Sequence, residues 1–302
     1  MEWNFELVAG PYGGTTEGPA WDGSGLLFSF THGNVVLRYD PATGQTTEFR
    51  KHTNRTNGLA FSAQGELYAC QQMSRRIVRF NHDGSTTPME YLLDGKYHNN
   101  PNDLAIDKQG RIWFSDPIHR LSLMSSPQPH FDHQSVLRLE QRADRAWVLR
   151  RMTSDTNSPN GLLVSEDQQT LYVADSSPVT RLAELRAYSI RDDGNLGSYT
   201  VLHTWGHDHR GPHRGIDGMC LDEEGNIIAC AGAHGRGVGP MLYVFSPTGR
   251  VLSTHPTPVD DPTNCTFGGP NLEDLYVTSM GGHLFRVSNT GHRGWLIYPR
   301  RR

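Results

Sequence analysis

The 302-residue chain contains no run of eighteen apolar residues, so no membrane-spanning helix is expected. Its opening, MEWNFELVAG, has neither a basic region nor an apolar core, and no secretory leader is read there. Cysteine is scarce, with four residues at 70, 220, 230 and 265. None has the spacing of a zinc site or a redox pair, so small, buried, reduced thiols are expected. Together these absences point to the cytoplasm. Charge of one sign is also lacking. The net charge is −4 and the basic residues are dispersed, which argues against a nucleic-acid partner. The final Arg300-Arg301-Arg302 reads as a solvated tail. A Gly-x-Ser-x-Gly elbow is absent, and with it the signature of many serine hydrolases. No long stretch repeats its apolar residues every 3.6 positions, so almost no helix is expected.

What the chain does have is a repeat. Six times an acid or amide, usually followed by Gly, opens an apolar run. The openings are Glu17-Gly18-Pro19, Asn57-Gly58-Leu59, Asn102-Asp103-Leu104, Asn160-Gly161-Leu162, Asp217-Gly218-Met219 and Asn264-Cys265-Thr266. The steps between them are 40, 45, 58, 57 and 47 residues. A period of about 40–50 residues with four strands each is the mark of a propeller blade. Second strands read as LLFSF (26–30), ELYAC (66–70), RIWFSD (111–116), TLYVAD (170–175), NIIACA (226–231) and DLYVTS (274–279). Third strands read as VVLRYD (35–40), RIVRFN (76–81), SVLRLE (135–140), ELRAYS (184–189), MLYVFS (241–246) and HLFRVS (283–288). Fourth strands such as TTEFR are weaker, as suits a half-solvated outer edge. The expectation is an all-β, six-bladed β-propeller with four antiparallel strands per blade, forming one domain over residues 1–302, because no blade buries its faces alone. Either FELVA (5–9) or WLIYP (295–299) supplies the last strand of blade six.

In a propeller the innermost strands line a central channel. Glu17, Asn57, Asn102, Asn160, Asp217 and Asn264 then stand at one mouth, as a ring of oxygen-bearing side chains. Asn-Gly and Asp-Gly are common turn formers, but these pairs open apolar strands, and a separate set of hairpin turns serves each blade. Converging carboxylate and amide oxygens suit a hard divalent cation in the channel, Ca2+ first. Mn2+, Mg2+, Fe2+ and Zn2+ fit a similar set.

At these residues the sequence resembles the gluconolactonase, senescence marker protein (regucalcin) and luciferin-regenerating enzyme family. The matching stretches are TEGPAW (16–21), RTNGLAF (55–61), NNPNDLAIDKQGRIWFSDP (99–117), SPNGLLVSEDQQTLYVADS (158–176), GIDGMCLDEEGNI (215–227) and PTNCTFGGPNLEDLYVTS (262–279). They come one per blade, in order. The resemblance implies a divalent metal at the channel mouth held by Glu17, Asn160 and Asp217. It implies that Asn102 touches metal or substrate, that Asp217 is base or nucleophile, and that Asp103 supports the site. Animal members carry Arg where this chain has Asn100, and the NNPNDL form looks like the bacterial sugar lactonases.

The implied reaction is hydrolysis of a small-molecule lactone of a sugar acid. Competing readings are a related metal-dependent esterase or organophosphate hydrolase, and a metal-binding propeller without turnover. Candidate substrate contacts are Asn57, Asn100, Asn102, Asp103, Asp116, His119, Arg120 and Asn264. The loop at 117–134 is the longest at the presumed mouth and is a candidate lid. His207, His209 and His213 read as a solvated rim rather than a zinc site. Residues 235–239 read as a flexible glycine-rich loop, and Ser279 as the end of a strand.

Overall fold

The computed structural model describes residues 2–119, 131–177 and 179–299. Among these residues there is no helix, and no helix long and apolar enough to cross a membrane. Six antiparallel sheets form a six-bladed propeller. Their innermost strands are Thr16–Trp21, Thr56–Phe61, Leu104–Ile106, Pro159–Val164, Ile216–Asp222 and Pro262–Gly268. Each packs against the next in the chain, and the last against the first, which closes the ring.

The second strands fall close to where the apolar runs place them. Leu26–Phe30 and Asp274–Ser279 have the expected bounds, and Leu67–Gln71 and Ile227–Ala233 are displaced toward their C-terminal ends. These strands lie between blades and are buried on both faces, so their apolar character is nearly continuous rather than alternating. Outer strands such as Gln45–Lys51 are largely solvated.

The ends of the chain divide their tasks. Glu6–Ala9 pairs with Leu284–Val287 and becomes the fourth strand of blade six, supported by a 2.7 Å ion pair between Arg286 and Glu6. Thr263 Oγ1 donates to Thr16 O at 2.7 Å, and Thr16 Oγ1 donates to His283 O at 2.7 Å, which joins blade six to blade one. The C-terminal segment does something else. Gly294–Trp295 pairs with Leu221 and Asp222 at the far end of the inner strand of blade five. The chain then continues to Tyr298, whose ring lies 5.3 Å from that of Phe61 in blade two. It forms one wall of a cavity of about 140 Å³ inside the channel.

The expected loop at 235–239 is different in the structure. Residues Arg236–Phe245 form one strand, and Ala233 pairs with Arg236 in the tight turn before it. Positive φ at Gly235 and Gly237 permits this turn. The glycines shape a hairpin rather than a free loop.

Candidate metal centre and active site

Five of the six inner strands carry a register irregularity at the same place. It falls between Glu17 and Ala20, Thr56 and Leu59, Pro159 and Leu162, Ile216 and Met219, and Pro262 and Cys265. In blade three, pairing starts only at Leu104, beyond Asn102 and Asp103. A bulge adds an unpaired residue and re-aims its neighbours. The six ring residues therefore sit where the ladder lets side chains leave the sheet.

The glycines after them allow the strands to converge. A Cβ on Gly161 would lie 2.4 Å from Asp217 O, and one on Gly218 would lie 2.1 Å from the Asn264 side chain. Backbone bonds bridge neighbouring blades at this level, as from Gly58 N to Asn102 O at 2.8 Å.

Three carboxylates and four amides are brought together. Glu17, Asp103, Asp217, Asn57, Asn102 and Asn264 are buried, and Asn160 is half-buried. Asn160 Nδ2 donates to Asp217 Oδ1 at 2.7 Å. Glu17 Oε2 accepts from Gly18 N at 2.9 Å. Burial, with the charges of Asp217 and Asp103 behind it, pushes the Glu17 carboxyl well above its usual range. Burial also raises Asp103, to about 7, and raises Asp217 against the pull of Arg214 and Asn160. Such crowding of acids is unfavourable without a cation. Two amide oxygens, Asn57 Oδ1 and Asn160 Oδ1, are buried without a hydrogen-bond partner.

That donor set fits a hard cation, which takes carboxylate and amide oxygens. Among the described residues no group of three or more His, Cys, Asp or Glu could hold a metal ion. The candidate set of Glu17, Asn160 and Asp217 has only two such residues, with amide oxygen completing it.

Sequence reading does not single out Arg214, which is one of several charges on a rim loop. The structure makes it a partner of the ring. Its Nη2 donates to Asp217 Oδ2, Nη1 donates to Pro262 O at 3.1 Å, and Nε lies 3.4 Å from Asp261 Oδ1. Burial opposes its charge, yet Asp217, Asp261 and Glu17 hold its pKa above the ordinary value.

The other expected contacts separate into groups. Asn264 Nδ2 donates to Asp103 Oδ2 at 3.2 Å, so these two side chains bind each other. His119 Nε2 lies 3.2 Å from Asn102 Nδ2 and 3.0 Å from Gln72 Nε2. Burial lowers its pKa, which favours the neutral ring. Asn102, His119, Pro159 and Asn160 line an open pocket of about 370 Å³ at this mouth. Asn100 Nδ2 is occupied by Gln72 O at 3.0 Å. Asp116 is tied to His98 Nδ1 at 2.8 Å and Asn99 N at 2.7 Å, and supports the chain before Asn102. Arg120 and most of the candidate lid lie outside the described residues.

Of the three rim histidines, His207 and His209 are exposed. His213 is not solvated, because it is buried against Trp205 with ring centroids 5.6 Å apart. The four cysteines are free and buried.

Comparisons with known proteins agree with this fold. The family model described as SMP-30/Gluconolactonase/LRE-like region matches residues 15–281. A gluconolactonase of Zymomonas mobilis is 28% identical over 276 residues, covering 84% of this chain and 73% of its own length. A regucalcin of Xenopus laevis is 26% identical over 303 residues, covering 92% of each chain. The solved structure of a gluconolactonase from Xanthomonas campestris superposes with a TM-score of 0.79 at 30% identity, covering 94% of this chain and 89% of its own.

Proposed function

The chain belongs to the SMP-30/gluconolactonase/LRE-like family, and from that premise we propose that it is a divalent-metal-dependent hydrolase opening the lactone of a sugar acid. Lactone hydrolysis is supported by the gluconolactonases among its relatives. The observation that carries the reading is the bond between Asn160 and Asp217 beside Glu17, in a ring with unpaired amide oxygens.

Glu17, Asn160 and Asp217 would hold the ion, with Asn102 beside them. When bound, the ion supplies Lewis-acid polarisation of the lactone carbonyl and lowers the pKa of a water. Asp217 is the base. Its two oxygens are aimed by Asn160 and Arg214, and because a carboxylate on a cation is a weak base, the ion's effect on water would supply much of the activation. It takes the proton from the attacking water as oxygen bonds to the carbonyl carbon. The ring C–O bond then breaks, and the alkoxide leaving group takes that proton from Asp217. His119, neutral and anchored beside Asn102, faces the pocket where substrate hydroxyls would lie.

The test is acid release from a panel of aldonolactones. It compares metal-stripped protein, protein refilled with Ca2+, Mn2+, Zn2+ or Fe2+, and Asp217→Ala. Activity restored by metal and reduced ~10²–10⁴-fold in the variant is expected. A stripped protein as active as the refilled one overturns metal dependence. No hydrolysis of any lactone overturns the activity.

A further inference from the structure

Two thiols meet beneath the ring. Cys220 lies on the inner strand of blade five, Ile216–Asp222, and Cys265 on that of blade six, Pro262–Gly268. Their sulfurs are 3.6 Å apart, although 45 residues separate them in the chain. Cys265 breaks a pattern of the repeat. The residue after each ring side chain is Gly18, Gly58, Gly161 and Gly218 in blades one, two, four and five, and Asp103 in blade three. Glycine fits there because a Cβ on Gly18 would lie 2.3 Å from Asn57 O, and one on Gly161 would lie 2.4 Å from Asp217 O. Blade six instead places a sulfur at this position, in contact with a second sulfur from blade five.

Buried thiols commonly act as small apolar packing. Two observations separate this pair from the other cysteines. Cys70 and Cys230 are completely covered, whereas Cys220 and Cys265 keep 6% and 3% of their surface. Cys220 and Cys265 also line the partly open cavity of about 140 Å³ beside the C-terminal segment, and Cys70 and Cys230 do not. A cavity of that size holds molecules larger than water, so a small oxidant fits against both sulfurs.

The two sulfurs are not equivalent. As a thiol, Cys265 donates to Ile228 O at 3.4 Å, which leaves its lone pairs to face Cys220. Burial works against a thiolate on Cys265, yet hydrogen bonds from Cys220 and Cys230 hold its pKa down at about 5. Burial pushes Cys220 well up, and its contact with Cys265 adds to this. One sulfur is thus the better nucleophile, and its neighbour keeps its proton.

We propose that Cys220 and Cys265 are an oxidation site, at which a hydroperoxide entering the cavity converts the two thiols into a disulfide joining blades five and six. The Cys265 sulfur attacks one peroxide oxygen, the O–O bond breaks, and the departing hydroxide takes the thiol's proton and leaves as water. Cys265 is then a sulfenic acid. The Cys220 sulfur attacks it, the S–S bond forms as the S–O bond breaks, and the second hydroxide leaves as water with the Cys220 proton. Two thiols are oxidised and one peroxide is reduced. A disulfide is about 2.05 Å long, so the sulfurs close by ~1.5 Å, which rotation about the two Cα–Cβ bonds supplies. The inference is independent of the lactonase reading.

The test treats reduced wild-type protein with hydrogen peroxide, alkylates the remaining thiols in denaturant and maps the unreduced peptides by mass. Two of the four thiols are expected to disappear together, as one peptide pair linked through Cys220 and Cys265, which a thiol reductant separates again. Cys70 and Cys230 stay alkylatable, which shows that the protein reacted while folded. In Cys220→Ser, Cys265 is expected to accumulate as a sulfenic acid trapped by dimedone. Absence of the linked pair in wild type overturns the inference, as does a link that uses Cys70 or Cys230. A variant in which Cys265 stays unmodified overturns its role as the attacking sulfur. Should the variant fail to fold, the wild-type peptide map decides alone.

Discussion

Asp103 of blade three and Asn264 of blade six stand on opposite sides of the propeller axis, and Asn264 Nδ2 donates to Asp103 Oδ2 at 3.2 Å. This bond spans the channel. Glu17, Asn160 and Asp217 are not among the residues lining the cavity beside the C-terminal segment, whereas Asp103 and Asn264 are. The pair is a floor, with polar chemistry on one side and an apolar cavity on the other.

Removing the donor of that bond has a definite consequence. Asn264→Ala leaves Asp103 buried with one stabilising hydrogen bond fewer, and its pKa, already about 7, rises further. Loss of a buried bond to a carboxylate costs about 1–3 kcal/mol. Urea unfolding at neutral pH checks the loss. Asn264→Asp is expected to be worse, because it places two acids across 3.2 Å. A variant as stable as wild type would show that the bond carries no weight.

Arg214 competes for Asp217. Its guanidinium occupies one oxygen of a candidate ligand, and a divalent ion would repel it. Arg214→Met should tighten ion binding about tenfold, or ~1.4 kcal/mol, by calorimetry on stripped protein. Catalysis should fall nonetheless, because Asp217 loses one of the two groups that aim it. Unchanged ion affinity would show that the guanidinium and the ion do not interact.

The propeller was legible because each blade writes its inner and second strands with a turn residue before them, and the six ring positions recur in step. Which terminus closes blade six was not legible. FELVA and WLIYP are both short apolar runs, and only three-dimensional adjacency assigns the first to the sheet edge. The bulges also escaped, since a one-residue register shift leaves no mark on an apolar strand. Arg214 escaped for another reason. A charged residue in a polar turn reads as solvated, and its burial depends on neighbouring blades far away in sequence. Asp116 reads as a rim contact at a strand end, yet the chain folds back and spends both its oxygens on His98 and Asn99.

A pH dependence of stability follows from His255. Its ring stacks on Trp3 at 3.8 Å, and burial lowers its pKa to about 4, with the charge of His292 acting the same way. Between that value and the ordinary 6.5 the unfolded chain binds a proton that the folded chain refuses. This contribution is therefore intact above about pH 6.5, declines as pH falls toward about 4, and is constant below. The ring carboxylates act in the opposite sense, because their pKa values are raised. The comparison with His255→Phe isolates the histidine. The variant should lose less stability than wild type between pH 6.5 and 4 in urea titrations. Parallel curves would show that His255 is not kept neutral by the fold.

The C-terminal segment should matter for stability and little for chemistry. Gly294 N donates to Leu272 O at 2.7 Å, Glu223 N to Arg293 O at 2.8 Å, and Trp295 pairs with Leu221. Leu296, Ile297 and Tyr298 then wall the cavity opposite the Asp103–Asn264 floor. A chain ended after Arg293 loses that wall and exposes Trp21, Phe61, Val164 and Leu221, which line the same space. Each large side chain uncovered forfeits about 1.5–3 kcal/mol at most, so a loss of several kcal/mol is expected in urea unfolding. The mouth residues lie beyond the floor, so ion affinity of the folded fraction should stay within about twofold, a difference of ~0.4 kcal/mol. A shortened chain that keeps its stability would mean that the segment lies on the propeller without sealing it. One that folds but loses its ion would mean that the floor transmits the far end's packing to the ring.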